Sequence, residues 1–323
     1  MKKLDFHSIE ELQPGEELQR LFARNWPAYK TWFLSDGDAR RPNYLACHRA
    51  IDEHMPELLP VYEVLMKVLQ CNDAEARFLS LYQPPPVMSG CSQLIWPHES
   101  GALIRNYDYP PKHCDGIVML TEWTGTRVLG MTDCLWGLLD GINEHGLAAS
   151  LAFGGRAIEG HGFGVSLVLR YILETCNSTQ QALTVLARVP VHMDYNIALI
   201  DETGHSATVL LSPDRGTEVT DRLVSTNRQH DFDPIKYKPL ADTNTREKFL
   251  QQSIGNPNAF LPAVKRDFLH APLYRHHHQH NAGTLYTAAY SPANRHADYL
   301  WPDSSWSLSL SDFEEQSLTV TYN

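Results

Sequence analysis

PPPVMSGCSQLIWPHESGALIRNYDYP, running from Pro84 to Pro110, divides this sequence into two textures. Its leading prolines stop helix formation, because each lacks a backbone N–H and its ring clashes with the preceding turn. Just past them Gly90 stands directly before Cys91, and a compact charged group, Arg105-Asn106-Tyr107-Asp108, follows. Upstream the pattern is helical. Downstream it is that of short strands.

Upstream, Leu18, Leu21, Phe22, Trp26, Tyr29, Trp32 and Phe33 recur at spacings of three and four, which places them on one helix face. A second helical stretch covers roughly residues 44–70, interrupted by Pro56 and Pro60. A third, DAEARFLSL, is expected to start from Asp73 as its N-cap. Residues up to about 83 therefore read as helical.

Downstream, ALIRNYDY, GIVMLTEW and TRVLGMTD are short and rich in β-formers. WGLLDGINEHGLAASLAF, YNIALIDETGHSATVLL and TLYTAAYSPANRHADYLWP each read as a hairpin, and SLTVTYN as a closing strand. Between them lie a helical block, GVSLVLRYILETC, and another whose Ser178 and Gln181 have capping-box spacing. Strands and helices come in blocks, which points to antiparallel sheets with segregated helices and away from a doubly wound parallel sheet.

Composition narrows the function. With 323 residues, 43% hydrophobic and 20% charged, the chain is globular. A net charge of -11 argues against a nucleic-acid binder held by phosphate contacts. No run reaches the length of a membrane span and no signal peptide precedes the leader, so a cytoplasmic protein is expected. None of the six cysteines forms a C-x-x-C pair, and reduced thiols are expected. The run RHHHQH, with His276, His277, His278 and His280, lacks accompanying Cys or carboxylate ligands and reads as a solvated loop. No metal and no cofactor is expected.

Gly90-Cys91, Arg105-Asn106-x-Asp108, DGINEHGLAAS, VSTN and NTREKFL form an ordered set. Together they resemble the N-terminal-nucleophile (Ntn) hydrolases of the choloylglycine hydrolase superfamily. Within that group the chain is most similar to the autoproteolytic acyltransferases named after the fungal acyl-coenzyme A:isopenicillin N acyltransferase. The resemblance covers Gly90 to the C-terminus. The leader matches only in length and helical character.

The physical logic of such a site can be stated separately. A thiol with a pKa of about 8.5 is mostly protonated at neutral pH. Cutting the Gly90–Cys91 bond would give Cys91 a free α-amino group with a pKa of about 7.7–8.0, near ideal for a general base. Nucleophile and base would then share one residue. Gly90 suits a bond that must tolerate strain and close attack.

The resemblance implies the remaining roles. Arg105 would favour the thiolate, Asp108 would orient the α-amino group, Asn227 would donate to the oxyanion and Arg246 would complete the polar network. Arg105 and Asp108 are separated by an odd number of positions, so on a regular strand they face opposite ways. Both reach one site only if the strand ends or bulges near residues 106–107. Asn143 reads as a turn residue. The chain departs from its relatives at Ser92, more often threonine, and at Arg228, where the acyltransferases commonly have histidine. At Ala152 bile-salt hydrolases carry asparagine, which argues against bile-salt specificity.

The expected fold is α+β, a four-layer αββα Ntn-hydrolase sandwich with a helical N-terminal leader. Residues 1–90 would form a small chain after self-cleavage and residues 91–323 the large one, the two staying associated through the leader's apolar face. Whether the product also forms a homo-oligomer is left open. Cys91 would attack a linear amide of a small-molecule N-acyl substrate, with Tyr109, Trp136 and Phe153 as candidate pocket residues. No nucleic-acid or membrane partner is expected. Two alternatives stand: a Cys/His thiol protease using His98 without self-processing, and a non-catalytic binding protein of the same fold.

Overall fold

In the computed structural model, residues 2–230, 242–276 and 283–322 are described. The leader opens on a strand that the helical reading did not anticipate, β1 (Lys2–Glu10). Helices follow: α1 (Glu16–Phe33), α2 (Tyr44–His54), α3 (Leu59–Val68) and α4 (Asp73–Leu79). Pro56 separates α2 from α3, while Pro60 sits in the first turn of α3, where its missing N–H costs nothing. The cap of α4 is Asn72, not Asp73. The Asn72 side chain accepts the Glu75 N–H at 3.2 Å, and the Glu75 carboxylate accepts the Asn72 N–H at 2.8 Å. Leu18, Leu21, Phe22 and Phe33 are the buried positions of α1, and Phe22, Trp26, Tyr29, Trp32, Phe33 and Phe78 build an aromatic cluster where α1 meets α4.

From Gly90 onward the elements are β2 (Gly90–Trp96), β3 (Ala102–Asp108), β4 (Ile117–Thr121), β5 (Val128–Asp133), β6 (Gly137–Asn143), β7 (Ala148–Phe153), α5 (Val165–Thr175), α6 (Thr179–Leu186), β8 (Tyr195–Ile200), β9 (Ser206–Ser212), β10 (Gly216–Thr220) and β11 (Val224–Ser225). Then come α7 (Thr243–Gly255), α8 (Leu261–Asp267), β12 (Thr284–Ser291), β13 (His296–Trp301), β14 (Ser304–Ser309) and β15 (Gln316–Tyr322). The three expected hairpins are β6–β7, β8–β9 and β12–β13. Ser178 caps α6 by accepting the Gln181 N–H.

Among the described residues the strands form two sheets. The larger has nine strands in the order β10-β9-β8-β7-β6-β5-β4-β1-β15, and the smaller six in the order β11-β2-β3-β12-β13-β14. Every pairing is antiparallel except that of β1 with β4. The sheets face each other where β2 and β3 pack on β7 and β8. Helices α5 and α6 cover the large sheet, and α7 packs on the small one beside β2 and β11. This is the four-layer αββα arrangement. No helix among the described residues is long and apolar enough to cross a membrane.

Strand periodicity decides what each residue of β2 and β3 touches. Cys91, Ile95, Leu103 and Tyr107 join the main core between the sheets. Leu94, Trp96, Ala102 and Ile104 join a second cluster with Leu250, Val264 and Phe268 under α7 and α8. Both strands are buried along their whole length. Polar side chains on either face must therefore find partners inside the protein.

Candidate active site

Cys91 lies fully buried near the start of β2. On its inter-sheet side Arg105, paired two residues along on β3, donates from Nη2 to the Cys91 Sγ at 3.3 Å. The other arm of the guanidinium donates to the Tyr286 hydroxyl at 3.0 Å and to the Asp140 carboxylate. Asp140 also accepts from the hydroxyls of Tyr286 and Tyr290, and Tyr290 is bonded to Tyr299. Burial opposes the Arg105 charge, yet Cys91, Tyr286 and Asp140 outweigh it and hold the guanidinium well above its usual range. Burial, reinforced by Asp140, pushes the Tyr286 and Tyr290 hydroxyls well up, so they serve as neutral donors. A buried cation thus sits directly against the Cys91 sulfur.

The backbone of Cys91 is gripped separately. Its N–H donates to Asn227 Oδ1 at 2.9 Å. The Arg246 guanidinium donates to the Cys91 carbonyl, to Ser92 Oγ at 2.8 Å and to Asn227 Oδ1 at 3.1 Å. Both side-chain N–H groups of Asn227 are engaged, one to the Ser89 carbonyl at 3.1 Å and one to the Phe153 carbonyl at 3.0 Å. In the continuous chain Asn227 is therefore a clamp across the Ser89–Cys91 segment. It is itself held by Asn196, whose Nδ2 donates to the carbonyls of Thr226 and Arg228. Gly155 allows the loop this close, since a Cβ there would stand 2.6 Å from the Asn227 carbonyl oxygen.

Asp108, the last residue of β3, pairs with Gly90. Its Oδ1 accepts from Thr284 Oγ1 at 2.6 Å, while its Oδ2 is buried without a hydrogen bond. Arg275 Nη1 and Arg246 Nη1 lie 3.6 and 3.9 Å from that oxygen. Gly90 is required by close approach, for a Cβ would come within 2.8 Å of Asp108 Cβ. Arg105 and Asp108 do face opposite ways. No bulge of β3 brings them to one side; the register shift falls on β12, between Thr284 and Tyr286. Instead Arg105 meets the Cys91 thiol from between the sheets, while Asp108 meets the Gly90–Cys91 backbone from the helix side.

A cavity of about 500 Å³ opens between β1, α1 and the segment after β3, and Tyr109 lines it. It shares Trp32, Val87, Asp133 and Cys134 with an inner cavity of about 30 Å³ that reaches Ser89 and Tyr107. The linker residues Pro84, Val87 and Ser89 form part of the inner wall. Burial and the neighbouring Asp115 push the Asp133 carboxyl up to about 7.

Trp136 lines neither cavity. It is core, with its indole N–H on the Leu79 carbonyl at 2.9 Å. Phe153 contributes its carbonyl to Asn227, and its buried ring belongs to the main core. His98 is exposed beyond the far end of β2, roughly 20 Å of strand from Cys91, so no Cys/His dyad forms. Asn143 is the expected turn residue: it accepts the N–H groups of His145 and Leu147 and donates to the carbonyls of Leu173 and Cys176. In the histidine run, His277, His278 and His280 lie outside the described residues.

Three site residues escaped the sequence reading: Asp140, Asn196 and Arg275. The first two had a signal, an acid or amide inside an otherwise apolar strand, GLLDGIN and YNIALI. Arg275 heads the RHHHQH run, where the histidines drew attention away from it.

Solved structures of similar shape include a mutant conjugated bile acid hydrolase from Clostridium perfringens (14% identity, 72% of this chain and 97% of that one, TM-score 0.47). Penicillin V acylase from Agrobacterium tumefaciens gives 15% identity, 71% and 91% coverage and a TM-score of 0.48. The Caenorhabditis elegans orthologue of N-acylethanolamine-hydrolyzing acid amidase gives 16%, 68% and 100%, and 0.44. No curated protein matches. The family model of acyl-coenzyme A:6-aminopenicillanic acid acyl-transferase matches residues 96–306, which begins just past Cys91 and takes in Arg105, Asp108, Asn227 and Arg246. This chain belongs to that acyl-transferase family.

Proposed function

We propose that the chain is a cysteine amidohydrolase or acyltransferase for linear N-acyl amides, activated by its own cleavage at Gly90–Cys91. The observation that carries this reading is the buried Oδ2 of Asp108, without a hydrogen bond and set against Gly90, the residue before a Cys91 N–H that is bonded to Asn227. A buried carboxylate oxygen left without a donor is costly. Conversion of the Cys91 amide to an amine would add donors at this place.

In the first reaction the Cys91 Sγ attacks the Gly90 carbonyl and the C–N bond breaks, giving a thioester and a free α-amine. Water then cleaves the thioester, leaving a carboxylate on Gly90. Release of the Ser89 segment would free one N–H of Asn227 for an oxyanion and vacate part of the inner cavity. In the second reaction the α-amino group takes the thiol proton and the thiolate attacks the substrate carbonyl. The amine leaves with that proton. Water, or an acceptor amine, then takes the acyl group from sulfur.

N-terminal sequencing and intact mass test this directly. Two chains are expected, one beginning at Cys91. Full activity from a chain that stays at 36.6 kDa would refute self-activation. A panel of penicillins, N-acyl amino acids, bile-salt-like conjugates and small peptides then defines the substrate.

A further inference from the structure

Arg275 lies just before β12, where its N–H donates to Thr284 Oγ1 and its carbonyl accepts the Thr284 N–H, both at 2.9 Å. Its side chain is only 9% exposed. Nε stands 3.0 Å from Asp242 Oδ2, and Nη1 stands 3.6 Å from Asp108 Oδ2. Nη1 is also 3.3 Å from the point where a Gly90 Cβ would be. Neither Nε nor Nη1 has an aligned hydrogen bond among the described residues. Both nitrogens are thus held by ion-pair contacts with carboxylates and keep hydrogen-bonding capacity unused, which is costly for a buried guanidinium. What lies before Nη1 is Gly90, a residue with no side chain, so the guanidinium stands against the residue that precedes Cys91.

We propose that Arg275 is a positioning residue for the Cys91 α-amino base, its fixed charge keeping that amine neutral and proton-accepting once the Gly90–Cys91 bond is open. The inference rests on the self-cleavage reading above. The groups around the new amine can be named element by element. From β3 come Asp108 and, by way of the thiol, Arg105. From α7 and the residue before it come Arg246 and Asp242. Asn227 follows β11, Arg275 precedes β12, and Thr284 begins β12.

Asp108 alone would favour the ammonium form, which cannot accept the thiol proton. Two guanidiniums near Asp108 disfavour a further cation, and neither can escape by losing its own proton. Asp242 tempers both, since it accepts from Arg246 Nε at 3.2 Å and faces Arg275 Nε. A unit charge a few ångströms away in a buried site moves a titration by about one to two units.

The test titrates the Cys91 α-amino group by its nitrogen NMR shift in protein labelled at the cysteine nitrogens, so that no substrate is needed. Intact mass of the wild type comes first: an uncut wild-type chain sinks the self-cleavage reading and is read separately. In cut protein, Arg275→Gln should raise the amine's midpoint by about one unit. Arg275→Lys should return it to the wild-type value, and Asp242→Asn should lower it. A purely structural role would move Arg275→Gln and Asp242→Asn in the same direction or not at all. Either of those results overturns the proposal.

Discussion

A methyl group at Gly90 would stand 2.8 Å from Asp108 Cβ, about 0.6 Å short of the 3.4 Å of ordinary contact. The clashing atom is the first of its side chain, so no rotamer change moves it away. β2 must separate from β3 at this end, and overpacking of this kind costs about 1–3 kcal/mol. The same displacement stretches the 2.9 Å bond from the Cys91 N–H to Asn227 towards the limit of hydrogen bonding. It also shifts the thiol against the guanidinium of Arg105, now at 3.3 Å. Misplacement of a reacting group by 1 Å can cost about 10²-fold, so Gly90→Ala should slow self-cleavage by about ten- to a hundredfold. The assay follows the two chains by mass over time after synthesis, with urea unfolding run in parallel. Gly204→Ala is the control. Gly204 has φ +81 and nothing within 4 Å, so alanine there should cost about 1 kcal/mol of stability and leave cleavage alone. Wild-type cleavage in Gly90→Ala, with stability changed by less than about 0.5 kcal/mol, would refute the packing argument.

Asn227→Ala should reduce turnover by about 10²–10³, the usual loss of one oxyanion donor, measured as kcat on cut protein. Asn143→Ala should destabilise by about 2–4 kcal/mol, because four hydrogen bonds are lost, three of them buried, while cleavage still goes to completion. Asp133 is protonated in the folded state up to about pH 7 but ionised in the unfolded chain above about pH 4, so folding stability falls as pH rises through that window. Asp133→Asn should flatten that decline and recover up to about 4 kcal/mol at pH 8 in unfolding experiments. His192 acts at the other end: burial lowers it to about 4, so stability falls as pH drops below about 6.5, and His192→Gln should remove that acid limb.

Much of this site could be read from sequence because strands translate spacing into faces. The order of Gly90-Cys91, Arg105, Asp108, Asn227 and Arg246 foretold a cluster, and all of them meet around one backbone segment. Alternation also warned that Arg105 and Asp108 diverge. What it could not reveal was that a cysteine at a strand start has two separate ends to serve, its thiol on one face and its nitrogen towards the other. Asp140 and Asn196 act through partners distant in sequence, so no local spacing exposes them. Trp136 shows the converse: a large aromatic in a pocket-forming region is equally a core residue, and only its neighbour Leu79 decides. Strand β1 escaped because its sequence, KKLDFHSIE, alternates weakly and draws its order from β4 and β15.

That first strand has a consequence for a chain cut at Gly90–Cys91. β1 lies between β15 and β4, and it would belong to the small chain while both neighbours would belong to the large one. The small fragment would thus be woven through the interior of a sheet, and it could not leave without opening two rows of backbone hydrogen bonds. Folding before the cut is a one-molecule event with every strand tethered. After the cut, refolding from the melted state would need two molecules to find each other and restore a strand inside a sheet. Cleavage would then turn a reversible fold into a one-way product, whose persistence is set by how slowly it opens and no longer by how readily it re-forms.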